Sequence, residues 1–189
     1  MRRLLALIVS DYRIHYGERG DTRTKCRALF LPRAISNPSI HATILIRLAY
    51  ATPQWMIAFW RNVLLTKQTI DIGRNIEIGP GLNLPHPAGL TLASGTQIGA
   101  NCTMFHNVTL GARAGHQRDL GAERSGQVGV GRLCPTIGDG VVIYTGAIIV
   151  GPVTVGDGAI IGARAWVDRD VAPGAIVSAG RQQTAIQAT

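Results

Sequence analysis

Aromatic side chains are scarce in this sequence: Phe, Trp and Tyr together make up 5% of its 189 residues. A core without them has to be filled by aliphatic side chains, which suits a narrow interior. Charged residues are also few at 16% against 46% hydrophobic, and this balance excludes a disordered chain. Only three cysteines occur, Cys26, Cys102 and Cys134, with no CxxC spacing. A disulfide framework and a zinc site are therefore not expected, and the reducing cytoplasm is the expected compartment. The net charge is +8, yet no run of five or more basic residues is present. A nucleic-acid-binding arm is not expected, whereas a phosphate-rich ligand suits the sign. Long apolar runs are missing too. The stretch 42–65 is broken by Arg47, Pro53 and Arg61, so no transmembrane span is expected, and peripheral membrane contact stays open. The first nine residues open like a signal peptide, but Asp11, Arg13 and His15 follow without a cleavage site, so they read as the first turns of a helix.

What is present divides near residue 68. Before it, apolar residues recur at helical spacing: Ile40, Ile44 and Leu48 share one face, with Arg47 falling off it. Asn37-Pro38-Ser39 supplies a helix start, with Asn37 or Ser39 as the cap. Trp55, Phe59 and Val63 predict a further helix after Pro53. Beyond residue 68 the period becomes six. Aliphatics stand at Ile72, Ile78, Leu84 and Leu90, then, after a slip of two, at Leu92, Ile98, Met104 and Leu110, and again from Ile137 to Val167. Glycine often follows directly, as at Gly73, Gly99 and Gly138, and 23 glycines suit tight corners. A period of six fits neither a helix nor a meander and marks a parallel β-helix, with three hexads per triangular coil. The expected organisation is a helical segment over 1–68, the β-helix over 69–180 with an inserted loop at 112–135, and a tail at 181–189. A loop of that length reads as functional.

The words Ile70-Asp71-Ile72, Leu84-Pro85-His86-Pro87-Ala88-Gly89-Leu90, Val108-Thr109-Leu110-Gly111 and Pro135-Thr136-Ile137-Gly138-Asp139-Gly140-Val141 resemble the serine acetyltransferase branch of the hexapeptide acyltransferases. The resemblance spans 70–180 apart from the loop. More faintly, Asn37–Ala42 and the surroundings of Asp11 resemble that branch's helical domain. It implies a left-handed coil, acetyl-CoA as acyl donor, no metal, and homotrimers with sites between subunits, and it leaves a dimer of trimers open. It also implies His86 as general base and Asp71 as its orienter, since a hydroxyl attacks only once a base takes its proton. Cofactor contacts fall on Gly111, Ala112, Thr145, Gly146, Ala163 and Arg164, with backbone amides near Gly111 stabilising an oxyanion. Acceptor contacts fall on Asp11, His106 and Cys134, and His116 in the loop is a further candidate.

The sequence departs from the serine enzymes at Pro85, which replaces an Asp, and at Leu133 and Cys134, which replace an Arg-His pair. These substitutions remove charged partners for a free amino acid. They point to an O-acetyltransferase acting on a sugar, polysaccharide unit or other small hydroxyl compound, with serine O-acetyltransferase as the alternative. Two other classes compete: a non-enzymatic β-helix scaffold, which the Asp71 and His86 pattern argues against, and a metal-dependent hydratase. The hydratase needs His86, His106 and His116 to converge on one ion, which their spacing fits poorly.

Overall fold

The structure, a computed structural model, describes residues 2–17, 36–113 and 133–179. Among the described residues three helices precede the coil: α1 (Arg2–Gly17), α2 (Pro38–Ala51) and α3 (Ile57–Gln68), the last entered through the 3₁₀ turn Gln54–Met56. The Asn37 side chain caps α2 by accepting from the amides of Ser39 and Ile40, with Pro38 in the first turn, where its missing N–H costs nothing. Helix α3 stops at Thr69, which turns left-handed at φ 54°. The chain then enters the coil.

Among the described residues thirteen short strands form three parallel sheets, one on each side of a triangular coil. The coil is the left-handed parallel β-helix that the hexapeptide period and the resemblance led one to expect. On one side Asp71–Ile72, Thr91–Leu92, Thr109–Gly111, Ile148–Val150 and Trp166–Val167 stack in order. Their inward residues Ile72, Leu92, Leu110, Ile149 and Val167 lie in register and are buried. A second inward layer stands two residues earlier in each hexad, and small side chains fill much of it: Cys102, Ala147, Ala159, Ala165 and Ala175. Leu90 belongs to this layer, because Leu92 is the partner of Ile72. Close stacking explains the glycines: a Cβ on Gly99 would lie 2.6 Å from the carbonyl carbon of Gly138 one coil on.

The helices are fastened to the coil by a buried ion pair. Arg47 donates from Nε and Nη2 to the two oxygens of Asp11, each at 2.9 Å, and from Nη1 and Nη2 to the carbonyls of Ile78 and Gly79. Asp11 accepts in addition from the amide of Leu82. The side chains are 5% and 2% exposed. The expectation that Arg47 would leave the buried face is thereby overturned, since Ile46 and Arg47 are buried while Ile44 and Leu48 are only half-buried. Helical spacing could not show a partner 36 residues away that neutralises the charge. Likewise Trp55 and Phe59 form the outward side of the helical turns they mark, and Ile57 and Leu64 face the core.

Removing one member of such a pair strands the other charge in the interior. Arg47→Met is expected to destabilise the fold by about 3–5 kcal/mol in urea titration. The double change Asp11→Leu/Arg47→Met is expected to recover part of that loss, and additive losses would contradict the coupling.

Candidate active site

Register locates the unusual corner. Thr91 pairs with Thr109, 18 residues on, but Asp71 pairs with Thr91, 20 residues on. The two extra residues lie between Leu84 and Gly89. The corner's left-handed positions stack as Thr69, Gly89, Asn107, Gly146 and Arg164, and the amide of Asn107 donates to the carbonyl of Ala88. The four residues Pro85–Ala88 therefore occupy the place that Phe105–His106 fill in the next coil. The surplus bulges outward and carries His86 with it, exposed at the rim. Pro87 is buried at the base of the bulge, the Ala88 amide closes on the His86 carbonyl at 2.9 Å, and Ser39 Oγ on α2 donates to the Pro85 carbonyl at 2.8 Å.

Asp71 stands on the adjacent coil, two residues past Thr69, so it flanks the same corner. Its carboxylate accepts from Nε and Nη2 of Arg61 on α3, and this partner raises the arginine's pKa through the hydrogen bond and the opposite charge. No hydrogen bond joins Asp71 to His86 among the described residues. Nearby, burial and then the Asp71 charge push the Tyr50 hydroxyl upward, so it stays neutral and donates to the Gly73 carbonyl.

The imidazole of His86 has two aromatic neighbours on the next coil, Phe105 with ring centres 6.3 Å away and His106 at 6.1 Å. Phe105 in turn stacks on Tyr144 at 5.1 Å. Nδ1 of His106 is buried and has no hydrogen-bond partner, whereas the His106 carbonyl accepts from Thr145 Oγ1 and the Gly146 amide. The Arg164 amide donates to the Thr145 carbonyl. One corner thus gathers His86, His106, Thr145, Gly146, Ala163 and Arg164.

The remaining candidates lie elsewhere. Gly111 and Ala112 sit at the other end of their strand, where the Arg113 amide meets the Leu133 carbonyl. Cys134 is at this second corner, buried, its thiol donating to the Ser94 carbonyl at 2.8 Å. The structure does not bring it to His86 within the chain. Asp11 is locked under Arg47, so its carboxylate is not open to an acceptor. His116 and most of the expected loop lie outside the described residues, as do the tail and Cys26. Cys102 is buried, which pushes its thiol up to about 11 and keeps it unreactive. Sequence reading missed Arg61, Ser39 and the Phe105–Tyr144 stack, because each acts across elements that spacing does not join. Among the described residues no cluster of three or more His, Cys, Asp or Glu could hold a metal ion.

Residues 134–169 match the family model for the bacterial transferase hexapeptide (six repeats). A serine acetyltransferase from Helicobacter pylori is 31% identical over 151 residues, covering 78% of this chain and 81% of that protein. The chain belongs to the serine acetyltransferase family. It is an acetyl-CoA-dependent acetyltransferase. A second member, from Mycobacterium tuberculosis, is 35% identical over 108 residues, which cover 57% of this chain but only 42% of that enzyme. The crystal structure of the Neisseria gonorrhoeae serine acetyltransferase superposes with a TM-score of 0.75 at 26% identity, over 98% of this chain and 66% of the other. The last two proteins thus extend well beyond the part this chain spans. These relatives correct the expected placement among sugar and polysaccharide enzymes: the similarity runs to serine acetyltransferases.

Ser39→Ala leaves the Pro85 carbonyl without its donor at the base of the His86 bulge. A loss of about 1 kcal/mol in chemical denaturation is expected, and no loss would show that the bulge holds without α2.

Proposed function

We propose that this chain transfers the acetyl group of acetyl-CoA to the hydroxyl of L-serine, with His86 as general base. The observation that supports the catalytic assignment is the two-residue bulge, which lifts an exposed imidazole to the rim of the corner that Asp71 flanks, without disturbing the coil. His86 takes the proton of the acceptor hydroxyl as its oxygen bonds to the thioester carbonyl carbon. The carbon–sulfur bond then breaks, and the proton passes to the departing thiolate, giving O-acetylserine and coenzyme A. Asp71 orients the ring. A carboxylate has about four lone-pair directions, so the bidentate contact with Arg61 leaves room for an imidazole N–H.

Thr145, Gly146 and Ala163 offer a small-residue track beside His86, and Arg164 places a cation there for a phosphate of the donor. The partnerless Nδ1 of His106 supports a role in contacting acceptor or donor, since buried polar atoms are ordinarily satisfied. Gly111, Ala112 and Cys134 fit a site only if a neighbouring subunit brings its second corner to the first corner of this one. Outward apolar residues on both sides of the His86 corner support such a trimer: Ile148 and Trp166 on one sheet, Val142, Ile160 and Ile176 on the other.

Pro85, Leu133 and Cys134 supply no charge for the ammonium and carboxylate of serine, so weak acceptor binding is expected, with KM at about 1 mM or above. Thiol release from acetyl-CoA is to be followed with L-serine and with a panel of sugars and hydroxylated metabolites. Saturable turnover with serine is expected; turnover with a sugar alone would overturn the proposal. His86→Ala is expected to lower turnover by about a hundredfold or more with the assembly intact, and near-normal turnover would remove His86 from its role.

A further inference from the structure

The charge of this chain is unevenly placed. Residues 1–68 hold 11 Lys and Arg against 3 Asp and Glu, and residues 69–189 hold 8 of each, so the whole excess of +8 lies in the first 68 residues, in part outside the described ones. Helices α2 and α3 contain no acidic residue, and the one acid of α1, Asp11, is buried under Arg47. The same segment exposes large apolar side chains: Trp55 at 80%, Phe59 at 58% and Leu5 at 56%. On α1, Arg2, Leu5, Val9 and Arg13 are all exposed and recur at helical spacing along one face.

These features come together at one end of the segment. A half-open cleft of about 350 Å³ is lined by Arg3, Leu4 and Leu7 from α1 and by Tyr50 and Ala51 from the end of α2. Trp55 follows Ala51 by four residues, at most about 14 Å of extended chain. The start of α1 and the corner between α2 and α3 are thus neighbours, and exposed arginines stand near an exposed tryptophan.

We propose that this end of the helical segment docks on an anionic lipid surface. Tryptophan, phenylalanine and leucine enter the boundary between headgroups and acyl chains, and the exposed arginines of α1 are drawn to the negative surface potential. Charge decides between this occupant and a second copy of the chain, because the exposed charged residues of α1, Arg2, Arg3 and Arg13, are all positive and two such faces repel. No helix among the described residues is long and apolar enough to cross a membrane, so the contact is peripheral. An acetyltransferase held this way works at the membrane surface, with the His86 corner carried on the coil beyond the docked helices.

Co-sedimentation of the full chain with vesicles tests this. The chain is expected to pellet with phosphatidylcholine vesicles containing about one third phosphatidylglycerol, not with pure phosphatidylcholine, and to be released at about 0.5 M salt. Trp55→Ala/Phe59→Ala is expected to weaken partitioning at least about tenfold, with unchanged thermal melting and unchanged thiol release from acetyl-CoA. Arg2→Glu/Arg3→Glu, a change on α1, is expected to act in the same direction. Absent partitioning, equal partitioning into neutral vesicles, or unaltered binding by both variants would each overturn the proposal. So would a fall in assembly mass for Trp55→Ala/Phe59→Ala in sedimentation velocity without vesicle binding, since a second copy would then cover the face.

Discussion

Everything in this molecule is subordinate to the stacking register of the coil. Inward aliphatics meet their counterparts one coil away only if each coil contributes the same length of chain, and the backbone hydrogen bonds between coils enforce the same rule. Surplus residues cannot be absorbed within a side, because the backbone hydrogen bonds between coils hold each side to the same length and a slip would set inward side chains against the wrong counterparts. They must leave at a corner. Two residues do so at the His86 bulge, and between Gly111 and Thr136 the repeat is interrupted, pairing resuming 39 residues after Gln97. The candidate chemistry lies at or beside these departures, so the repeat acts as a rigid mount and its irregularities carry the site.

The helical segment depends on a different interaction. Asp11 and Arg47 join α1 to α2, and their remaining hydrogen bonds reach Ile78, Gly79 and Leu82 on the first coil. Ser39 then fixes the base of the His86 bulge, and Arg61 on α3 grips Asp71. The helices thus fasten the open end of the coil and also contact Asp71 and the base of the bulge that carries His86. A charge pair this deeply buried stabilises little by itself, but its directional bonds fix one docking geometry where apolar packing would tolerate several.

The sequence made the coil legible because its signal is local and repeated: Ile72, Leu92, Leu110 and Ile149 announce their layer without knowledge of anything distant. The slip after Leu90 was visible as well, although only pairing showed that it ejects His86. Arg47 was misread because helical spacing reports faces, not partners, and a buried arginine depends on an acid elsewhere in the chain. Asp11, Gly111, Ala112 and Cys134 carried roles from the resemblance that this chain's geometry does not gather around His86. Arg61 gave no signal, since an exposed helical arginine looks the same whether or not a carboxylate lies beneath it. Family resemblance pointed to the right enzyme class, while Pro85, Leu133 and Cys134 drew the acceptor reading toward sugars and away from the relatives that the chain matches.

An exposed imidazole on a rigid rim has one deficiency as a catalyst. Water competes for its proton and screens every nearby charge, and the described residues do not close over it. The corner supplies partial shelter through Phe105, Tyr144 and His106, which wall one side, and the unpartnered His106 Nδ1 marks a polar position not yet satisfied. The other side is open along the sheets that carry Trp166 and Ile176, whose exposure is unfavourable in an isolated chain. One event would cover those apolar residues, dry the His86 corner and bring a Gly111 corner opposite it: the approach of another copy of the coil. The burial that holds such an assembly together and the desolvation that the acetyl transfer needs would then arise from the same surface.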